Sequence, residues 1–88
     1  MQHASHPEIV KRLKQAHGQL AAILPMFADG RSCMDLAQQL QAVESILHSA
    51  KRALIQDHMG HCIGDALSEG GITAKQALSE FKSLSKYL

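Results

Sequence analysis

The chain is 88 residues long, 45% apolar and 3% aromatic, with nine Lys or Arg, eight Asp or Glu and a formal charge of +1. That length holds one domain, residues 1–88, and puts its core near the lower limit of independent stability, where oligomerisation, metal or disulfides usually contribute. The near-neutral charge excludes a strongly basic arm or an acidic tail, and Phe27, Phe81 and Tyr87 are too few rings to stack single-stranded bases. No stretch approaches the roughly 18 apolar residues needed to cross a bilayer, so no membrane association is expected. No basic-then-apolar leader pattern opens the sequence, so a cytoplasmic protein is expected, with Cys33 and Cys62 as reduced thiols.

The spacing of apolar residues predicts three helices and no strand, an all-α chain. Residues 1–6 read as a flexible N-terminal segment. Ser5 and Glu8 have the spacing of a capping box, with Pro7 in the first turn, where its missing N–H is no loss. Ile9, Leu13, Ala16, Leu20, Ile23, Leu24 and Phe27 then recur every three or four residues. Pro25 is expected to kink this helix or end it near Leu24, and Asp29-Gly30 is a stop signal. The second and longest helix takes Ser32 as N-cap, with Asp35 in its first turn. Its ridge runs through Leu36, Leu40, Val43, Leu47, Ala50, Leu54, His58 and Cys62. Some 30 residues at about 1.5 Å each give a rod near 45 Å. So small a chain cannot bury such a rod alone, and a partner subunit is expected along its stripe. Gly70-Gly71 ends the run. Thr73 and Gln76 form a second capping box with Ile72 as hydrophobic staple, and Ala77, Leu78, Phe81 and Leu84 give the third helix its apolar side.

The chemistry concentrates on the second helix. His58 and Cys62 stand four residues apart, so both project from one face and can reach one metal ion. Cys33 lies 25 residues before His58, roughly 37 Å along a straight helix. These residues cannot meet within one chain, but they can meet if two such helices pack antiparallel, which would put two equivalent sites in a two-fold dimer. A Cys2His set is soft. It suits Cu(I) with three ligands, or Ni(II) or Zn(II) with a fourth. His3, His6 and His61 are the candidates for that fourth place. The bland alternative is that the cysteines are small core hydrophobes.

Gly18-Gln19, Cys33, the run Gln38-Gln39-Leu40-Gln41-Ala42-Val43 and the closing Asp57-His58-x-x-x-Cys62 resemble the CsoR/RcnR/FrmR family of bacterial repressors. These sense metal, formaldehyde or sulfur species. The resemblance spans about residues 6 to 64. It implies antiparallel four-helix-bundle dimers assembled into a disc-shaped homotetramer. It also implies operator DNA held on a basic face without a helix-turn-helix, and release on metal binding that derepresses efflux or resistance genes. Cysteine at position 62 resembles the copper sensors and those Ni(II) sensors with the same triple. The cobalt/nickel branch usually has His there, formaldehyde sensors lack a thiol there, and sulfur sensors lack the intervening His. Copper sensors often carry Tyr where Ser32 stands, and a tail carboxylate in the same network. In this sequence only Glu80 could supply that carboxylate. His3 and His6 fall in a segment that donates ligands in the nickel and cobalt branch. Cu(I) is therefore the expected inducer, with Ni(II) or Co(II) as the alternative.

Lys11, Arg12, Lys14, Arg31, Lys51 and Arg52 are the candidates for contact with DNA phosphates, and a tetramer multiplies them fourfold. None reads as a base-specific contact. No Ser-His-Asp set, carboxylate pair or phosphate loop indicates an enzyme. Two rival readings share the composition: a metal-buffering protein, which needs the thiols but no basic face, and a plain helical oligomerisation module.

Overall fold

The computed structural model describes residues 4–68 and 73–88, apart from the side chains of Cys62, Ile63, Asp65, Ala66 and Leu67. Three helices follow one another: α1 (His6–Ala28), α2 (Cys33–Leu67) and α3 (Ala74–Ser85). No strand occurs among the described residues. His3, Gly70-Gly71 and the staple residue Ile72 lie outside them.

The helix ends show which local signals act. Ser5 stands at the N-cap of α1 with φ −79° and ψ −16°, and its hydroxyl makes no capping bond. The expected capping box does not form, because helical dihedrals at Ser5 swing its oxygen away from the first free N–H groups. Glu8 turns instead to Arg12, one turn on, at 3.8 Å. Pro25 does not end α1, which continues to Ala28. Proline here forfeits a single N–H near the C-terminus, and a strong cap follows. Gly30 adopts φ 71°. Its N–H bonds the Phe27 carbonyl at 3.4 Å, and the Arg31 N–H bonds that of Met26 at 3.3 Å. Together these make the Schellman arrangement, whose left-handed residue favours glycine. Ser32 caps α2 as expected, its Oγ accepting from the Asp35 N–H at 3.1 Å. The Thr73–Gln76 box caps α3, with both reciprocal bonds present at 3.0 and 3.1 Å.

After the turn, α2 runs back along α1. Arg12 lies against Ser49, and Ala16, Ile23 and Val43 share one core cluster with Met26 and Ile46 packed on it. The seam is built on a seven-residue repeat: Ile9, Ala16 and Ile23 on α1, and Leu36, Val43 and Ala50 on α2, are all buried. α3 then returns along the C-terminal half of α2, placing Ala77 and Ile55 in the interior. No polar side chain is buried among the described residues.

The expected apolar ridges therefore split in two. Leu13, Leu20 and Phe27 on α1, and Leu40, Leu47 and Leu54 on α2, repeat with the same seven-residue period yet stay 39–59% exposed. The chain measures 59 × 23 × 12 Å with a radius of gyration of 18.0 Å. A compact body of this length would have a radius near 12 Å. Its thinnest dimension is little more than one helix diameter. One apolar row on each helix is covered by the hairpin itself, and the next row over is left open.

Candidate metal centre

Cys33 is the first residue of α2 and is an exposed free thiol. The Ser32 cap and the Schellman turn fix its place at the tip of the hairpin. Cys62 lies on the same helix, 29 residues on. That is about 43 Å of helix, whereas a disulfide needs Cα atoms some 4.4–6.8 Å apart. The two cannot bridge within one chain. At 100° per residue, Cys33, Leu40, Leu47, Leu54, His58 and Cys62 fall within an arc of about 80° on α2. The thiol positions and His58 thus continue the open leucine row at its two ends.

His58 is half-buried where α3 crosses α2. Its Nε2 lies 2.9 Å from Glu80 Oε2, and the pair lines a cavity of about 500 Å³ with Leu54, Ile55, Ser83 and Leu84. The register of α3 explains the contact. Thr73 starts the helix, Ala77 and Leu84 turn toward α2, and Glu80 lies between them on the same side. A carboxylate on Nε2 favours the tautomer with its proton there, which leaves the Nδ1 lone pair for a metal. The donor set thus fits a soft metal: an imidazole oriented by an outer carboxylate, with a thiol position one turn further along. The C-terminal carboxylate read from sequence as the single candidate is the one that the fold delivers.

The other histidines are placed less directly. His61 Nε2 is 3.9 Å from Asp57 Oδ1, on the side of α2 turned away from Cys62 by about 100°. His6 opens α1 and is half-buried. The antiparallel register that sets Arg12 beside Ser49 brings His6 level with about residue 55, within a turn of His58. Among the described residues no three His, Cys, Asp or Glu side chains come together closely enough to hold a metal. One chain therefore presents half of the predicted site at each end of α2.

The six cations differ in how free they are. Arg12 Nη1 donates to the Ser49 carbonyl at 3.3 Å and to its hydroxyl at 3.0 Å, tying α1 to α2. Arg31 lies 3.8 Å from Asp35. Lys11, Lys14, Lys51 and Arg52 are exposed. A groove of about 380 Å³ lined by Arg12, Ser49, Arg52, Ala53 and Gln56 brings Arg12 and Arg52 together. The clamp on Ser49 spans 37 residues, and no local pattern in the sequence signals it.

A family model described as metal-sensitive transcriptional repressor matches residues 5–86. The copper-sensing transcriptional repressor RicR of Mycobacterium tuberculosis is 37% identical over 70 residues, covering 80% of this chain and 73% of that protein. The copper-sensing transcriptional repressor CsoR of Bacillus subtilis is 34% identical over 79 residues, covering 90% and 76%. The solved structure of the nickel-responsive transcriptional regulator InrS superposes with a TM-score of 0.86 at 29% identity, over 99% of this chain and 96% of that one. Among the described residues no helix is long and apolar enough to cross a membrane. These relatives are regulators of transcription and not enzymes. The chain is a member of the CsoR family of metal-sensitive transcriptional repressors.

Proposed function

We propose that this repressor binds operator DNA when metal-free and releases it on binding Cu(I), derepressing metal efflux or resistance genes. The metal would be held by Cys33 of one copy and by His58 and Cys62 of another. The observation that carries this reading is the 2.9 Å contact of Glu80 with His58, one turn before Cys62. An imidazole so oriented between thiol positions suits a soft ion that accepts few ligands, and thiolates select Cu(I). The copper-sensing relatives RicR and CsoR support the same ion. The metal would supply a bond between two copies. The protein's part is to fix the imidazole through Glu80 and to present Cys33 at the hairpin tip.

The open leucine row supports the cross-subunit arrangement independently. If Leu40 of one α2 packs on Leu54 of a second, antiparallel α2, then Leu47 meets its own copy at the two-fold axis. The same register sets Cys33 opposite residue 61, between positions 58 and 62. Such dimers would pair into a homotetramer in the cytoplasm, with Lys11, Arg12, Lys14, Arg31, Lys51 and Arg52 of each copy facing DNA phosphates.

A second reading is a sensor of Ni(II) or Co(II). The likeness to the nickel-responsive InrS favours it, as does the level of His6 beside the His58 end of α2. His3, His6 or His61 would then complete the ligand set. Anaerobic titration of the reduced protein with Cu(I) and with Ni(II), read by fluorescence anisotropy on promoter DNA, separates the two. Release by Cu(I) alone supports the copper reading. Release by Ni(II) that is lost in His3→Ala or His6→Ala supports the second. DNA binding that neither metal reverses would refute both and point to an aldehyde or sulfur signal at Cys33. Metal binding without salt-dependent DNA binding would instead indicate a metal-buffering protein.

A further inference from the structure

The six cations discussed so far lie on α1, α2 and the turn between them. α3 carries three more, Lys75, Lys82 and Lys86, of which Lys86 caps its C-terminus. At 100° per residue these three fall within about 40° of one another. The inner side of α3, with Ala77 buried and Phe81 and Leu84 half-buried, lies roughly opposite them. The capping box at Thr73 and the packing of Ala77 fix that rotation, so the lysines face outward, and all three are exposed. Among residues 73–88 Glu80 is the sole carboxylate side chain, and, although exposed, it pairs with His58 at 2.9 Å from a position well around α3 from the lysines. No carboxylate lies within 4.0 Å of any of the three ammonium groups among the described residues, while the Lys86 Nζ stands 5.7 Å from the Tyr87 ring centroid.

We infer that Lys75, Lys82 and Lys86 form a second phosphate-binding stripe that engages the backbone of duplex DNA alongside the cations of α1 and α2. This rests on the repressor reading and extends it to a helix with no role in it beyond Glu80. The stripe is about 16 Å long, the rise of roughly five base pairs. Ammonium groups on flexible stems suit phosphate contact and carry no base specificity. An uncompensated row of like charge on a short amphipathic helix is complementary to a polyanion. Glu80 lies about 140° around α3 from the middle of the row and pairs with His58, so it does not neutralise the row.

The test is a titration of promoter DNA with the full-length protein at several salt concentrations, comparing wild type, K75Q/K82Q/K86Q and K75R/K82R/K86R. Each lysine at a phosphate contributes about 0.9 to the slope of log affinity against log salt. The glutamine variant is therefore expected to lower that slope by about 2.7 for each engaged copy. The arginine variant should keep the wild-type slope. Helical circular dichroism and Cu(I) affinity should match wild type in both. A glutamine variant with the wild-type slope overturns the inference and leaves the repressor reading with its other cations. Equal losses in the glutamine and arginine variants also overturn it, because charge would not be the cause. Wild type that fails to bind DNA in a salt-dependent way removes the repressor reading itself, and this inference with it.

Discussion

Leu47→Asn is the sharpest test of how the open row is covered. Leu47 sits midway along α2 and is 45% exposed in the single chain. Complete burial of a leucine side chain contributes about 1.5–3 kcal/mol, so covering what remains is worth about 1 kcal/mol per copy. Asparagine forfeits that and buries an amide without an assured partner, a further cost of about 1–3 kcal/mol. The proposed axis passes beside Leu47, so both copies carry the change at the same contact. Twice these costs is about 4–8 kcal/mol, which weakens association roughly a thousandfold or more at about 1.4 kcal/mol per tenfold. The single-chain fold should survive, since the hairpin seam does not include this residue. Sedimentation velocity over a concentration series is expected to show an assembled wild type and a dissociated variant with intact helical circular dichroism. Tight Cu(I) binding should be lost together with assembly. A variant that sediments as wild type would refute the leucine-row register, and a monomeric wild type would refute the cross-subunit site altogether.

The remaining expectations concern the seam, the site and the basic face. Ile23 is 1% exposed, and Ile23→Ala should lower stability by about 2–5 kcal/mol, read as a fall in the denaturation midpoint. Glu80→Gln keeps the size of the side chain but removes the charge beside His58. It should weaken Cu(I) binding about 10–100-fold while metal-free protein binds DNA as wild type does, and unchanged Cu(I) affinity would show that the carboxylate does not tune the imidazole. Cys33→Ala and Cys62→Ala should each abolish tight Cu(I) binding with the assembly intact, as judged by metal competition and sedimentation. Arg12→Ala with Arg52→Ala should weaken DNA binding and flatten its salt dependence. Arg12→Ala alone should also lower thermal stability, since it cuts the bonds to Ser49.

Much of the fold was legible because its signals are local. The cap at Ser32, the box at Thr73–Gln76 and the stop at Asp29-Gly30 each need only a few adjacent residues, and all three form. Ser5–Glu8 has the same letters as a capping box and fails, because Ser5 takes helical dihedrals rather than the extended ones a capping side chain needs, a backbone choice that the letters do not specify. Of the two outcomes expected at Pro25, a kink or an end near Leu24, the end does not occur: α1 runs on to Ala28, where a Schellman cap just beyond secures the last turn. The division of each apolar ridge into a closed and an open row was not readable either. Leu36 and Leu40 are alike in sequence, and only the pairing of α1 with α2 decides which is buried. Glu80 could be singled out by its type and approximate place, but its contact with His58 depends on α3 folding back antiparallel.

That dependence bears on what a metal ion could do here. The proposed ligands stand at opposite ends of a single rigid helix, about 37 Å apart, so no movement within one chain closes the site. Two copies in the proposed antiparallel register would close it twice, each closure spanning the contact proposed for Leu40, Leu47 and Leu54. Binding energy at the thiols would then be expressed as a preference among arrangements of two hairpins, because an ion can shift an equilibrium only by binding its states unequally. The basic residues ride on the same helices: Arg52 lies two residues from Leu54 on α2, and Arg12 is tied to that helix through Ser49. A change in how two hairpins sit together therefore changes the spacing between their cations. For phosphates at fixed intervals along a duplex, that spacing decides how many contacts form at once.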